Sequence, residues 1–266
     1  MVLNIAHRGA RSLAPENTLL AARRGLEAGA DLWETDLAVT QDEQLVLFHD
    51  DLLVRTSDVQ QQFPDRAFDP FTTFSLAEIR SLDAGSWFVE ADPFEQIAAG
   101  ALSEADQAAC RGETVPTLEE ALVFTRDAGW KLNLELKFLP DPMGAYPVVP
   151  QVLAMADRVG ITPEQMLISS FNHVWLEEVK VRRPLIEIQA LIGYHTDQPL
   201  DWGDLAFETY NVRSTLIQDK DIRQRKEQGL AINLFTVNEE ADMKRFMALG
   251  VDGIITDFPQ RMERLR

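Results

Sequence analysis

Residues 31–39 read DLWETDLAV, and this stretch decides the fold. Successive side chains of a β-strand point to opposite faces, so Glu34 and Asp36 share one face. Trp33 and Leu37 share the other face, which predicts packing against helices. Two carboxylates side by side on an otherwise apolar strand require a shared proton, basic partners or a bound cation.

A second stretch, WKLNLELKF at residues 130–138, alternates in the same way. Its polar face carries Glu135 and Lys137, and its other face carries leucines and a phenylalanine. On a barrel strand covered by helices the apolar face points outward, which leaves the polar face for the interior and the rim. Glu135 is therefore expected to point to the same place as Glu34 and Asp36.

Short apolar runs alternate with longer amphipathic ones along most of the chain, which is typical of β/α units around a parallel sheet. We predict strands at residues 3–6, 31–38, 131–136, 166–169, 186–191, 207–212, 231–236 and 252–256. Helices are predicted at 16–29, 117–129, 147–160 and 239–250, with a further one before 207–212. Eight strands suffice for an α/β fold of the (β/α)8 TIM barrel type, although a doubly wound sheet also places its site at strand carboxyl ends.

One apolar run, LVLFHDD at 45–51, does not fit this rhythm. Only the polar stretch TQDEQ separates it from the preceding strand, which is too little for a parallel crossover and predicts an antiparallel hairpin. With Asp42 and Glu43 as the two turn residues, Asp36 is expected opposite His49. The hairpin would then return His49 to the carboxylates.

Residues 51–113 interrupt the β/α pattern and are rich in phenylalanine and proline. We predict a small subdomain inserted after the second strand and its hairpin. It is expected to lie over the barrel rim and to be held together by an aromatic core. The whole chain, 1–266, is otherwise expected to form one (β/α)8 catalytic domain.

Composition limits the classes of partner. A formal net charge of -18 opposes broad docking on nucleic acid or on an anionic membrane, so a small anionic substrate needs a local cationic site. The single cysteine, Cys110, excludes an intrachain disulfide and fits a reducing compartment. No signal peptide or membrane span is apparent, so we expect a cytoplasmic protein without stable membrane association. The oligomeric state is left open.

Three carboxylates in one partly desolvated place repel one another. A network with Arg8, Lys131 and Lys137 would relieve the repulsion, and so would one divalent cation. Carboxylate oxygens suit Mg²⁺ or Ca²⁺ better than Zn²⁺. The residues alone leave both arrangements open.

Histidine is scarce in this chain, and two histidines follow predicted strands. His7 ends the first strand and His49 ends the hairpin, so the two imidazoles could serve as general acid and base. Arg8, beside His7, could offer planar donors to a phosphate. A structural polar role remains the alternative for each histidine, and it is the preferred interpretation for His173 and His195.

Four motifs occur in order along the chain: IAHRGARSLAPENT (5–18), WETDLAVTQDEQLVLFHDDLLVRT (33–56), LNLELK (132–137) and GVDGIITDFP (250–259). Together they resemble the glycerophosphodiester phosphodiesterase family. The resemblance implies a (β/α)8 barrel with an inserted subdomain. It also implies hydrolysis of deacylated phospholipids to sn-glycerol 3-phosphate and an alcohol. The absence of a nucleic-acid partner is expected from the net charge alone.

The resemblance also implies the roles of the acidic and histidine residues. The metal-binding positions of the family fall on Glu34, Asp36 and Glu135. Its catalytic histidines fall on His7 and His49. One divalent cation, Mg²⁺ or Ca²⁺, is the implied cofactor.

By the same resemblance Arg8 and Lys137 would bind the phosphate, and Glu16 and Asn17 would support the rim. A second interpretation of PENT (15–18) is a helix start. In that interpretation Asn17 or the threonine after it caps the first turn.

Phe235 is a departure from the family pattern. The family often has Trp-Thr-Val-Asn where this chain has Phe235 followed by TVN, so an aromatic face remains for the glycerol but the indole donor is lost. The turn TQDE (40–43) replaces the usual Thr-x-Asp-Gly. Two alternative functions stay open: a lysophospholipase D-type phosphodiesterase acting on lysophospholipids, and a non-catalytic barrel that binds phosphorylated ligands.

Overall fold

The computed structural model describes residues 1–266. They form a parallel β-barrel surrounded by helices, and the barrel is closed because the first strand pairs with both the second and the last. The strands are β1 Leu3–Ala6, β2 Leu32–Val39, β3 Leu45–Leu47, β4 Leu132–Leu136, β5 Met166–Ser170, β6 Glu187–Ile192, β7 Thr209–Arg213, β8 Ala231–Phe235 and β9 Gly253–Thr256. Eight of them form the barrel, in the cyclic order β1-β9-β8-β7-β6-β5-β4-β2, and β3 lies outside it against β2. The predicted TIM barrel is confirmed.

Helices cover the outside of the barrel and fill the segment between β3 and β4. They are α1 Leu19–Glu27, α2 Val59–Gln62, α3 Leu76–Arg80, α4 Ser86–Ala91, α5 Glu104–Cys110, α6 Leu118–Asp127, α7 Val148–Val159, α8 His173–Arg182, α9 Asp219–Glu227, α10 Glu240–Ala248 and α11 Pro259–Glu263. No helix has the length and the apolar composition needed to cross a membrane. The four helices predicted at 16–29, 117–129, 147–160 and 239–250 are all present, as α1, α6, α7 and α10.

The prediction of a helix before the strand at 207–212 is wrong. Residues 193–208 contain neither helix nor strand. Gly193, Pro199 and Gly203 fall in this segment, and Gly193 and Gly203 have positive φ values of 88° and 52°. Proline and left-handed glycine both interrupt a helix, so β6 reaches β7 through an irregular loop.

The two faces of each barrel strand separate as their alternation predicts. Trp33 points outward, stacks on Trp130 with ring centroids 6.3 Å apart, and donates from Nε1 to Thr125 Oγ1 at 3.0 Å. Inside the barrel a small apolar cluster is formed by Ile5, Leu32, Leu167 and Ile255. Glu34 lies two positions beyond Leu32 on the same face of β2, so the acidic layer sits on top of this apolar cluster at the carboxyl rim.

The predicted hairpin exists, but its predicted register is wrong. Leu37 pairs with Leu47, and the backbone N–H of Phe48 donates to the carbonyl of Asp36 at 3.1 Å, so Phe48 and not His49 lies opposite Asp36. The loop contains one more residue than a two-residue turn, because the Thr40 N–H donates to the Gln44 carbonyl at 3.0 Å. The last loop residue is Glu43, with φ 60°, as is common in three-residue hairpins.

The segment 51–113 packs its aromatic side chains in two clusters. Phe71 and Phe74 are buried beside Phe48 at the end of the hairpin, and Phe88 is buried with Cys110 in a second cluster. This packing holds the segment against the hairpin, and the side chain of Arg55, near the start of the segment, reaches Glu16 at the barrel rim. An inserted subdomain stays a prediction.

Gly9 permits the close approach of the chain after β1 to helix α1. It has φ 78°, and a Cβ at this position would lie 2.4 Å from the carbonyl carbon of Ala21. Gly250 has the same φ of 78°, but a Cβ there would meet nothing within 4 Å. The two glycines therefore share backbone strain and differ in crowding.

We expect Gly9→Ala to lower the free energy of unfolding by about 2–4 kcal/mol, since it adds a backbone clash to the left-handed strain. Gly250→Ala should lower it by only about 1 kcal/mol. Urea unfolding of both variants and the parent measures the difference. Equal losses would show that close packing at Gly9 does not support the segment that carries His7.

Candidate active site

Three carboxylates meet at the carboxyl rim of the barrel. Glu34 and Asp36 extend from β2, and Asp36 is the direct register partner of Glu135 on β4. One oxygen from each of the three residues lies within 4.8 Å of the other two. We call Glu34, Asp36 and Glu135 the acidic triad, and their convergence agrees with the strand alternation read from the sequence.

Burial and mutual repulsion perturb the protonation of the acidic triad. Burial, with the charges of Asp36 and Glu135, raises the pKa of Glu34 well above its ordinary value. Burial and the charge of Asp36 raise the pKa of Glu135 to about 7. Burial also acts to raise the pKa of Asp36, but Lys137, His49 and other basic groups outweigh it and hold that pKa below its usual range. The triad thus carries fewer charges at neutral pH than three exposed carboxylates.

The acidic triad fits a hard divalent cation. The Oε1 atom of Glu34 is buried and has no hydrogen-bond partner, while Oε2 accepts the backbone N–H of Arg8 at 2.9 Å. A buried carboxylate oxygen without a partner is costly, and a cation would satisfy it. All donor atoms are carboxylate oxygens, which suits Mg²⁺ or Ca²⁺.

His7 directly follows β1, and a carboxylate that contacts Nδ1 fixes the orientation of its ring. Its Nδ1 lies 2.6 Å from Oδ1 of Asp257, and its Nε2 lies 3.9 Å from Oε2 of Glu34. Asp257 is itself fixed by Asn238, whose Nδ2 donates to Oδ2 at 2.7 Å. Burial lowers the pKa of His7 despite the opposing effect of the Asp257 charge. Because Asp257 contacts Nδ1, Nε2 is the ring nitrogen that faces the acidic triad.

His49 has an equivalent carboxylate partner. Its Nδ1 lies 2.6 Å from Oδ1 of Asp50, and Oδ2 of Asp50 accepts Nε of Arg55 at 2.5 Å. Although the hairpin does not pair His49 with Asp36, the chain beyond β3 still brings it to the rim. There it lines a cavity of about 300 Å³ together with Glu135 and Lys137.

The sequence interpretation missed Asp257 and Asp50 as partners of the histidines. Both come shortly after a strand. Asp257 is next to Thr256, the last residue of β9, and Asp50 lies just beyond the end of β3, next to His49. A carboxylate at the end of the last barrel strand was the available signal, because every strand end of a barrel reaches one rim. Which histidine each carboxylate would contact required the tertiary structure.

Glu16 is the centre of a buried basic network. Its carboxylate accepts a hydrogen bond from Nη1 of Arg8 at 2.6 Å and two from Arg55 at 2.9 and 2.6 Å, and it forms an ion pair with Nη2 of Arg11 at 2.8 Å. Burial acts to raise the pKa of Glu16, but these arginines hold it well below its usual range. Since Arg55 also binds Asp50, the network connects the loop after β1 to His49.

The guanidinium of Arg8, predicted to bind phosphate, contacts carboxylates in this structure. Besides its bond to Glu16, its Nε lies 3.2 Å from Oδ2 of Asp36. Lys137, the second predicted phosphate ligand, has its Nζ 3.6 Å from Oδ1 of Asp36. Both cations therefore border the acidic triad, and their predicted contact with phosphate stays a prediction.

The PENT stretch divides its roles between neighbouring residues. Thr18 is the helix cap, because its side chain accepts the N–H of Ala21. Asn17 is free for another role, and its Nδ2 donates to Oδ2 of Asp36 at 2.9 Å while its Oδ1 accepts Thr35 Oγ1 at 2.7 Å. Asn17 thus orients a member of the acidic triad, which agrees with a supporting role at the rim.

Phe235 ends β8 on the inward face of the barrel. Its ring packs against the interior apolar cluster and meets Phe171 edge-on, with ring centroids 6.1 Å apart. The guanidinium of Arg213, its register partner on β7, lies 5.2 Å from the ring centroid. Phe235 is therefore an apolar platform within the rim, and its predicted contact with glycerol stays a prediction.

Known proteins resemble this chain in sequence and in fold. The model of the glycerophosphoryl diester phosphodiesterase family matches residues 7–261. The chain is 32% identical to a glycerophosphodiester phosphodiesterase of Caldanaerobacter subterraneus subsp. tengcongensis, over 99% of this chain and 97% of that protein. It is 30% identical to one of Bacillus subtilis, over 100% and 86%. A solved phosphodiesterase of Oleispira antarctica, in complex with the product sn-glycerol-3-phosphate, superposes with a TM-score of 0.75 at 26% identity, covering 98% of this chain and 94% of that one.

The raised pKa of Glu135 predicts a pH-dependent stability. Below the ordinary value of 4.5 the folded and unfolded states are both protonated, and between 4.5 and about 7 only the unfolded state loses its proton. Without divalent cations, ionisation of Glu135 therefore destabilises the fold as pH rises. We expect Glu135→Gln in EDTA to be more stable than the parent at pH 8 by on the order of 1–3 kcal/mol, with little gain at pH 4.

Chemical unfolding at the two pH values measures this effect, with the exposed Glu177→Gln as the control. Added Mg²⁺ or Ca²⁺ should reverse the order at pH 8, because the parent gains a bound ion that the variant holds less well. A gain that is the same at pH 4 and pH 8 would contradict the electrostatic account.

Proposed function

The chain belongs to the glycerophosphoryl diester phosphodiesterase family and is a phosphoric diester hydrolase, and we propose that it hydrolyses glycerophosphodiesters to sn-glycerol 3-phosphate and an alcohol with one divalent cation and two histidines. One observation carries this proposal. An acidic triad and two carboxylate-backed histidines converge on the same barrel rim. Each part alone has structural explanations, but together they match the requirements of phosphodiester cleavage.

Glu34, Asp36 and Glu135 would hold the cation, Mg²⁺ or Ca²⁺. When bound, such an ion supplies positive charge that stabilises the additional negative charge developing on the phosphate. The chain's own residues prepare the site: Asn17 and the Arg8 backbone orient the carboxylates, and the charge of Lys137 keeps Asp36 ionised.

His7 and His49 are the proposed general acid and base. Each Nδ1 is engaged by a carboxylate, so each Nε2 is left to exchange a proton with the substrate. One Nε2 accepts the proton of the nucleophile, and the other donates a proton to the leaving alkoxide. Asp257 and Asp50 act as positioning residues, because they fix the ring orientation and the proton-bearing nitrogen.

The nucleophile is water or the 2-hydroxyl of the glycerol. Attack by the hydroxyl forms a cyclic phosphate, which a water molecule then opens. A cyclic glycerol phosphate captured in rapid-quench samples identifies the hydroxyl route. Direct incorporation of one solvent oxygen with no cyclic species identifies water.

The phosphate is proposed to bind beside the acidic triad, where Arg8 and Lys137 supply positive charge. Glu16 and Asn17 would hold the rim in place, and the ring of Phe235 would face the glycerol carbons. These roles follow from position and charge. The formal net charge of -18 favours small soluble diesters over lipids in an anionic bilayer.

We further propose that residues 1–266 act as one catalytic domain and that the segment 51–113 completes the rim. Arg55 supports this division, since it extends from that segment to Glu16 and Asp50 in the barrel part. The insertion would thereby fix His49 through Asp50.

A lysophospholipase D activity is the second candidate, and one observation favours it. The cavity beside His49 is also lined by Phe138 and Tyr194, two aromatic side chains that are 57% and 59% exposed. An acyl chain could cover this surface. Turnover of glycerophosphocholine should exceed that of lysophosphatidylcholine, measured with the lysolipid below its critical micelle concentration. The reverse ratio would assign the lysophospholipase D activity.

The proposed mechanism predicts loss of activity without metal or histidines. EDTA should abolish release of glycerol 3-phosphate from glycerophosphocholine, and Mg²⁺ or Ca²⁺ should restore it. His7→Ala and His49→Ala should each lower kcat by about 10²–10⁴-fold, the usual contribution of a positioned acid or base. The exposed His195→Ala serves as the control and should retain the parent kcat.

A coupled assay of glycerol 3-phosphate measures these rates, and circular dichroism verifies folding of each variant. Activity that survives chelation, or that persists in His7→Ala and His49→Ala, would refute the mechanism. A folded parent that binds glycerol 3-phosphate but cleaves no diester would support the non-catalytic barrel instead.

A further inference from the structure

Arg213 is a cation at the rim that the mechanism above does not use. It is the last residue of β7, where Tyr210 and Val212 belong to the outer core and Asn211 is buried on the opposite face. Strand alternation therefore directs Arg213 inward with Asn211, toward the mouth of the barrel. The side chain is half-buried.

Contacts with the protein orient this guanidinium, but they leave its terminal nitrogens without a hydrogen bond. Its Nε donates to the carbonyl of Gly193 at 2.5 Å, and its guanidinium carbon lies over the ring of Phe235, 5.2 Å from the centroid. A Cβ on Gly193 would lie 2.8 Å from Cβ of Arg213, so a glycine with φ 88° makes room for the arginine. Neither Nη1 nor Nη2 of Arg213 takes part in a hydrogen bond or an ion pair with the protein.

Three arginines on the other side of the rim are committed to carboxylates. Arg8, Arg11 and Arg55 all bind Glu16, and Arg8 is also 3.2 Å from Asp36. Their donors neutralise protein charge and hold loops together. Arg213 is different, because its two terminal nitrogens have no acidic partner in a chain with a net charge of -18.

Arg213 faces the acidic triad across the barrel mouth. In the cyclic strand order, β7 is four strands away from β2 in either direction, so the two strands lie opposite each other. The charge of Arg213 nevertheless reaches the triad, since it is among the basic groups that oppose the rise in the pKa of Glu135. A ligand in the mouth would lie between the triad and this guanidinium.

We propose that Arg213 is a substrate-binding residue whose Nη1 and Nη2 donate hydrogen bonds to the phosphate of the diester, from the side of the mouth opposite the acidic triad. This inference rests on the proposed function and assigns a binding role to a further residue of the same site. A planar guanidinium with two free nitrogens suits two phosphate oxygens. The ring of Phe235 beneath it would hold the adjoining glycerol carbons.

The inference predicts a loss of affinity that does not depend on the alcohol. Arg213→Met keeps the apolar stem and removes the charge, so KM for both glycerophosphocholine and glycerophosphoglycerol should rise about 10- to 100-fold, the range for a charge-assisted hydrogen bond. The inhibition constant of glycerol 3-phosphate should rise by a similar factor, and kcat should change less. Arg213→Lys, which keeps the charge but loses the fork, should fall between.

Arg225→Met is the matched control. Arg225 lies on α9 outside the barrel, is half-buried, and stacks on Trp202 with 4.7 Å between its guanidinium carbon and the ring centroid. Its loss removes a cation and a stacking contact but no donor at the mouth. KM and the inhibition constant of Arg225→Met should equal those of the parent.

A purely structural role for Arg213 gives a different result. In that case Arg213→Met lowers the melting temperature while KM and the inhibition constant stay unchanged, and the inference is overturned. Thermal stabilisation of the metal-loaded protein by glycerol 3-phosphate provides a second readout without catalysis. If the parent cleaves no diester, the proposed function fails, but loss of this stabilisation in Arg213→Met alone would still support phosphate binding, and equal stabilisation would refute it.

Discussion

The repulsion among three carboxylates at one end of the barrel is the constraint on which the rest of the site depends. Glu34 and Asp36 share a strand face, and the parallel register sets Glu135 beside Asp36. Their surroundings distribute the charge unequally: the pKa of Asp36 is held low, whereas those of Glu34 and Glu135 are raised. A site with one orphaned carboxylate oxygen and carboxyl groups of raised pKa is suited to a cation, which is why a bound divalent ion is part of the proposed function.

The two histidines are positioned by a second layer of charged residues. His7 is held by Asp257, and His49 is held by Asp50. Arg55 joins Asp50 to Glu16, so a residue from the segment after β3 fixes a group at the barrel rim. These ion pairs, buried at His7 and partly exposed at His49, add little net stability, but they define one arrangement of the side chains.

The sequence predicted the fold and the acidic triad because both depend on strand alternation. DLWETDLAV and WKLNLELKF each show which face is apolar, and all carboxyl ends of parallel barrel strands meet at one rim. The hairpin register was mispredicted by one residue, since a three-residue loop with Glu43 at positive φ replaced the assumed two-residue turn. His49 still reaches the rim, because the chain beyond β3 leaves the ladder before it.

The sequence by itself therefore determined the succession of strands and helices and which residues share a strand face, because periodicity is a local property of the chain. Only the tertiary structure decided which inward residues pair. Arg8 could have faced solvent or a ligand, yet it is surrounded by Glu16 and Asp36, while Arg213, which no motif singled out, keeps its terminal nitrogens free. Pairing among charged side chains depends on distances between residues far apart in the chain, and these are set only when the barrel closes.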